Sequence, residues 1–303
     1  INYFLVILLF IKYMFKEIAD LLATIRSEYE KNRFVFIEGT KMKEILRFFG
    51  ASEADLFLIE QSGNSLSDDP TLPFRKSSNG RFLIDLANNK ASRLKFQSFI
   101  LSEEEGFKRE DADKYRNFRG IQDTVQNNTA FQALIKFQAY MFNGMKIKNL
   151  PNLEESNEKW VSTVFQLRTI TTPEFIGEPA KEGVHHDGVE HIMTTLLYTK
   201  NISSDSAVSQ VHSTNQETGA RWDMVTPEFV IGRSQHKNFL DTLLIVDSEL
   251  KHSVSPVNAF NPEKEAFRDI VLFCTRRPKS ESHKSYGLDS LEPHDELPTT
   301  FLL

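Results

Sequence analysis

Glu265-Ala266-Phe267-Arg268-Asp269-Ile270-Val271-Leu272-Phe273-Cys274-Thr275 is a run of β-branched and aromatic residues short enough to be a single strand. Successive side chains of a strand leave opposite faces. Arg268, Ile270 and Leu272 therefore share one face, and Asp269, Val271 and Phe273 share the other. Runs of the same kind lie at 161–170, 191–198, 207–212 and 242–247, with turn-forming residues between them. Many short strands separated by turns predict an α+β, mainly β fold: a double-stranded β-helix of the jelly-roll or cupin-like kind, with ligands held at its wide mouth.

Upstream, the pattern changes to helical spacing. Ile18, Leu21, Leu22 and Ile25 predict an amphipathic helix from Met14 to about Tyr29, and Phe131, Leu134, Ile135, Ala139 and Phe142 predict another over 129–142. A strand is expected at 33–37, a short helix at 41–49 closed by Gly50, and a helix capped by Ser52 running through Phe57. These helices are expected to brace one sheet from outside. Residues 61–79 read as a loop, 81–86 and 94–100 as strands, and 103–115 as a charged, solvated connection.

Upstream of the Arg268 strand lie Gly183-Val184-His185-His186-Asp187-Gly188 and Lys251-His252-Ser253-Val254-Ser255-Pro256. On an extended backbone His185 and Asp187 leave the same face. His252 can complete a triangle of two imidazoles and one carboxylate, the set that leaves positions open on a non-haem Fe(II) ion. Asp187-Gly188 alone would also suit a surface turn. His212 and His236 are rival third ligands, although the residues around His236 read as a polar helix start. His186 should point away from the ligands, and His191 reads as a packed or supporting histidine. An iron that chelates 2-oxoglutarate needs a partner for the far carboxylate, and a buried arginine on the next strand supplies a bidentate one. Arg268 takes that role, with Arg276 as the fallback.

These segments resemble the bacterial 2-oxoglutarate/Fe(II) dioxygenases that hydroxylate free amino acids, the group that includes the isoleucine hydroxylase of bacilli. The resemblance is carried by Val184-His185-His186-Asp187, by His252-Ser253-Val254-Ser255-Pro256 and by Ala266-Phe267-Arg268-Asp269-Ile270-Val271-Leu272. Gln166-Leu167-Arg168 and Lys114-Tyr115-Arg116-Asn117-Phe118 support it, over about residues 80–277. It implies Fe(II) on His185, Asp187 and His252, 2-oxoglutarate on Arg268, O2 as oxidant, and hydroxylation of a small amino acid with release of succinate and CO2. It also draws Arg168, with Gln166, toward the substrate's α-carboxylate and places Arg116 near the pocket, where a salt bridge to the acidic 103–113 region is the plainer reading. The chain departs from the pattern by extra residues at about 211–235 and by Ser203-Ser204-Asp205 in place of a Gly-Gly pair; both bear on substrate identity. Trp222 in the longer segment reads equally as a lid or as an anchor for that loop. A peptide side-chain hydroxylase and a non-catalytic binding member of the fold are the alternatives. A zinc hydrolase would leave the Arg268 strand without a role.

Composition sets the bounds. The 303 residues, with 40% hydrophobic and 26% charged, are ordinary for a globular protein. The net charge of -6 argues against a nucleic-acid backbone as partner. One cysteine, Cys274, excludes an intrachain disulfide, suits the cytoplasm and reads as a packed thiol. Residues 1–13 are apolar but broken by Lys12, too short to span a bilayer, and expected to be a non-native or anchor segment. Residues 14–278 are expected to be one domain and 279–303 a flexible, polar tail.

Overall fold

In the computed structural model, which describes residues 3–100 and 114–303, with side chains from Phe15 onward, the alternation at Ala266–Arg276 is a central strand of a large antiparallel sheet. In chain order the elements are α1 (Tyr3–Asn32), β1 (Phe34–Ile37), α2 (Gly39–Phe48), α3 (Glu53–Glu60), β2 (Ser67–Asp68), β3 (Arg75–Asp85) and β4 (Lys90–Leu94). Then come α4 (Asp123–Gln126), α5 (Thr129–Phe142), β5 (Lys159–Thr171), β6 (His191–Lys200), β7 (Val208–His212) and β8 (Val230–Gln235). β9 (Thr242–Ile245), β10 (Lys251–Val254), β11 (Ala266–Arg276) and β12 (Thr300–Leu302) complete the chain.

The large sheet has the order β1-β9-β6-β11-β5-β3-β4-β12, with β2 beside β3; the small sheet has the order β10-β7-β8. An isolated bridge between His185 and His252 adds a fourth segment to the small sheet. From β5 onward the chain passes back and forth between the two sheets, which is the winding of a double-stranded β-helix.

The two faces of the large sheet do different work. Its outer face carries Phe82, Val164, Met193, Val271 and Phe273, which pack with Phe131, Leu134 and Phe137 of α5. Ile45, Leu46, Leu56 and Ile59 of α2 and α3 extend that core. Each such side chain contributes roughly 1.5–3 kcal/mol on burial. Asn128 starts α5 by accepting from the amides of Ala130 and Phe131, and Ser52 caps α3 by accepting from Asp55 N. The inner face carries Phe165, Ile192, Leu243, Ile245 and Cys274 and looks toward the small sheet. The helices thus fix the sheet from behind and leave its inner face for the site.

Several expectations need correction. Residues 75–80 are not loop: Arg-Lys-Ser-Ser-Asn-Gly is the first half of β3, paired along β5 from Thr169 to Val164. Pairing in mid-sheet overrides the weak strand propensity of those residues. The strand expected at 94–100 lies earlier, as β4; beyond it only Phe99 bridges, to Arg116. Gln235 ends β8, and 236–238 follow as irregular chain rather than a helix start. The connection expected at 103–115 falls largely outside the described residues.

Residues 279–303, polar enough to read as a tail, are tied back. Asp289 accepts from Arg81 Nη2 (2.7 Å), from both Nη atoms of Arg276 (2.9 and 2.7 Å) and from Lys279 N (2.7 Å). β12 then pairs with β4. Composition sees exposed charge there; the fold supplies buried partners. Among the described residues no helix is long and apolar enough to cross a membrane.

Candidate active site

His185 and His252 exchange backbone hydrogen bonds, each amide donating to the other's carbonyl at 3.0 Å. That pairing sets their rings side by side, centroids 4.3 Å apart. Gly183, at φ +77°, lets the chain enter this turn; a Cβ there would lie 2.4 Å from the Ala220 carbonyl. The extra segment at 211–235 therefore braces the histidine turn from behind, through Val184 N to Ala220 O at 2.9 Å and Gly219 N to Val184 O at 2.8 Å. None of its residues lines the pocket, and Trp222 is half-buried outside it with its carbonyl accepting from Gln210 Nε2, so of its two readings the anchor holds and the lid does not.

His185 Nδ1 donates to the Gly183 carbonyl at 2.8 Å, which leaves Nε2 for the centre of the cluster. Asp187 Oδ1 lies 3.4 Å from that Nε2, and Asp187 Oδ2 lies 3.6 Å from His252 Nε2. One ligand atom from each of His185, Asp187 and His252 falls within 4.8 Å of the others, close enough to hold one ion. Behind them sits Asp247, fully buried. Its Oδ1 is 3.4 Å from His252 Nδ1, and its Oδ2 accepts from Asp187 N at 2.9 Å. One carboxylate thus holds the Asp187 turn by a hydrogen bond and faces the His252 ring at ion-pair range, a placement like the supporting carboxylates behind metal ligands.

The charges suit a cation. Burial works against protonation of His185, but the Glu182 carboxylate, 3.5 Å away, and Asp187 outweigh it and raise the imidazole to about 10. Burial likewise opposes the Asp187 carboxylate, but the hydrogen bond from His185 and the nearby imidazoles lower it to about 2. Burial, then Asp187 and Asp247, push the Cys274 thiol up, so it stays protonated and packed.

The cluster opens into a cavity of about 140 Å³ on the inner face of the large sheet. Arg268, Ile270, Leu272 and Cys274 of β11 line it, as do Phe165, Leu167 and Thr169 of β5. Arg268 is 2% exposed. Its Nη2 lies 3.4 Å from His236 Nδ1, and His236 Nε2 donates to the Thr194 carbonyl at 3.1 Å. His236 is therefore a prop for Arg268, not a ligand; burial and Arg268 hold it neutral, at about 3. Burial pulls Arg268 down to about 10, and its Nε finds no acceptor. A dry, under-bonded guanidinium beside two imidazoles and a carboxylate fits Fe(II) and the far carboxylate of 2-oxoglutarate.

Arg116 also lines the cavity, over the ring of Phe99. Gln166 and Arg168 do not. They share a face as the sequence predicts, but it is the outer one. Gln166 donates to Ser62 Oγ and accepts from Ser78 Oγ. Arg168 closes on Asp269 through Nε and Nη2, both at 2.7 Å. Strand alternation relates the residues of one strand to each other but does not say which face meets the ligand, and that choice went wrong for β5. Arg276 is spent on Asp289. His212 bonds Ser253 Oγ, His186 bonds the Asp247 carbonyl, and His191 packs with Tyr29, Phe142 and Trp160. Asp247, Glu182 and Arg75, which also lines the cavity, are not among the residues the sequence points to. Only Asp247 left a trace, a carboxylate closing the apolar run 242–246.

Comparison with known proteins bears on the family and the fold. The 2OG-Fe dioxygenase family model matches residues 60–274. The "bifunctional enzyme flvA" of Aspergillus flavus is 38% identical over 274 residues, which is 90% of this chain. The chain spans about a third, 33%, of that relative's length. Among solved structures, the Fe(II)/alpha-ketoglutarate-dependent dioxygenase TqaL is 42% identical with a TM-score of 0.82, covering 95% of this chain and 97% of TqaL. IDO from Bacillus thuringiensis (17% identical, TM-score 0.58, 85% and 99% covered) shares the fold. So does a bsmA homologue from Methylobium petroleophilum PM1 (15%, 0.70, 86% and 95%).

Proposed function

This chain belongs to the 2OG-Fe dioxygenase family, and from that premise we propose that it hydroxylates a small molecule, a free amino acid or a similar zwitterion, in the cavity beside His185. The family is an enzyme family that uses Fe(II), 2-oxoglutarate and O2. The likenesses extend beyond the 80–277 stretch that carried the resemblance, and they do not single out the isoleucine hydroxylase.

His185, Asp187 and His252 hold the iron in this reading, and Arg268 holds the far carboxylate of 2-oxoglutarate. The observation that carries it is the convergence of three ligand atoms and one unsatisfied guanidinium on a single cavity. Bound Fe(II) with 2-oxoglutarate and O2 supplies an oxidation in which the cosubstrate becomes succinate and CO2 while a substrate C–H becomes C–OH. The chain's own residues do the rest. Asp247 keeps His252 and Asp187 aimed inward, His236 keeps Arg268 upright, and the apolar walls keep water from the reacting carbon. A cavity of about 140 Å³ suits a small substrate better than a peptide. The buried thiol fits the reducing cytoplasm.

Anaerobic addition of Fe(II) and then 2-oxoglutarate should give the weak visible charge-transfer band of the chelate. The band should be absent from His185→Ala and Asp187→Ala. Full turnover in either variant would remove the metal assignment, and iron binding without the band would remove 2-oxoglutarate.

A further inference from the structure

The cavity holds more cationic side chains than 2-oxoglutarate needs. Arg75 of β3 faces Thr169 of β5, which in turn faces Arg268 of β11. The three form one cross-strand row, and all three line the cavity. With neighbouring strands about 4.8 Å apart, the Arg75 and Arg268 backbones lie roughly 10 Å apart on the same inner face.

Arg75 is held in an unusual way. Its Nε donates to Asp69 Oδ2 at 2.7 Å, and the Asp69 side chain is 0% exposed. Asp69 Oδ1 accepts from Thr71 N, Thr71 Oγ1 and Leu72 N at 2.9, 2.8 and 3.1 Å. The carboxylate is thus fully used, and it grips Arg75 from the side. Among the described residues the two Nη groups have no hydrogen-bond partner, although the side chain is only 13% exposed. By contrast Arg168, Arg276 and Arg277 each close on a carboxylate with at least one Nη. A guanidinium fixed through Nε with its fork left open toward a cavity is built for a bidentate anion.

Arg116, Glu182 and the His185, Asp187 and His252 cluster line the same cavity, and much of the remaining wall is apolar and aromatic. Phe99, Phe118 and Phe165 all line the cavity, with ring centroids 5.0, 5.3 and 6.2 Å apart. We propose that Arg75 binds the carboxylate of the substrate, and that the substrate is a carboxylic acid whose apolar remainder lies against these three rings. This rests on the dioxygenase reading and assigns to Arg75 the role that Arg168 cannot take.

The test uses the full chain loaded with Fe(II). The probes are the proteinogenic L-amino acids, their α-amides, and simple branched carboxylates such as isovalerate. Each is scored by succinate formed above the substrate-free rate. At least one carboxylate should stimulate succinate formation, and its amide should not. In Arg75→Gln the KM for that carboxylate should rise about a hundredfold, as for one lost member of a buried charged pair, with kcat changed far less. The Kd of 2-oxoglutarate, read from the chelate band, should stay at the wild-type value. Arg75→Gln leaves Asp69 buried and unpaired, so Asp69→Asn/Arg75→Gln is the partner variant, and it should show the same KM change. Arg75→Lys, which keeps a charge but no fork, should recover part of the loss.

An amide as effective as its acid, no stimulation by any carboxylate while the chelate band is intact, or an unchanged KM in both glutamine variants would each overturn the proposal. So would a rise in the 2-oxoglutarate Kd, which would make Arg75 part of the cosubstrate site. A wild type without the chelate band strikes at the dioxygenase reading itself and takes this inference with it.

Discussion

Replacing Arg268 with Met separates a ligand-binding guanidinium from a structural one. Burial has pulled Arg268 from 12.5 to about 10, and at 1.36 kcal/mol per decade that is about 3 kcal/mol spent on keeping its charge dry. The only hydrogen-bond contact described for its guanidinium is His236, at 3.4 Å, and Asp269 beside it points to the other face, toward Arg168. The folded chain without 2-oxoglutarate therefore recovers little of that cost. Met conserves the unbranched stem and removes the charge. Arg268→Met should accordingly be more stable than wild type without ligand, by up to about 3 kcal/mol, or several degrees in Tm. It should also bind 2-oxoglutarate about a hundredfold more weakly, because the cosubstrate's far carboxylate would be buried unpaired. Iron affinity should not move. Differential scanning calorimetry without ligand and anaerobic titration of the chelate band give both numbers on the same sample. Arg276→Met is the control: it breaks a buried ion pair and should lose stability while leaving the 2-oxoglutarate affinity intact. A destabilised Arg268→Met with unchanged 2-oxoglutarate affinity would refute the reasoning.

Asp247→Asn keeps the shape but weakens the hold on His252 Nδ1 and on the Asp187 amide; iron Kd should rise about 10–100-fold, by competition with a coloured chelator. His185, raised to about 10, carries a proton at pH 7 that iron must displace. Uptake of Fe(II) should release close to one proton, and affinity should climb as the pH rises from 6 to 8, by calorimetry in buffers of different ionisation enthalpy. Asp289, buried between Arg81 and Arg276, is opposed by desolvation, but the arginines outweigh it and hold its carboxyl far below the usual range. A depressed folded-state pKa stabilises above the unfolded value, about 4, and that contribution fades as the pH falls below it. Asp289→Asn should cost about 3–5 kcal/mol at neutral pH, with the gap to wild type narrowing toward pH 2 in urea titrations.

Alternation along one strand, a local property of the covalent chain, was readable from residue order. It put Arg268, Ile270 and Leu272 on one face, and the pocket face is where they are found. It likewise put His185 and Asp187 together, although the segment proves to be an irregular turn pinned to His252 by one bridge. The helices over 129–142 and after Ser52 were legible for the same reason: spacing and capping act within a few residues. Chemistry-specific residue types then made the iron and 2-oxoglutarate readable, since few other purposes join two imidazoles, a carboxylate and a following arginine.

What sequence order could not give was which face of each strand meets the cavity, and which strands lie side by side. On that account Arg168 lies outside the cavity and Arg75 lines it. Arg168 sits in a regular apolar strand but looks outward to Asp269, whereas Arg75 sits in a polar stretch that reads as loop yet becomes a mid-sheet strand opposite Thr169. Asp247 and His236 acquire their meaning only across the fold, behind His252 and Arg268. Periodicity fixes the relations within a segment, while long-range pairing and the path between sheets fix the relations among segments. A binding site is made of the second kind.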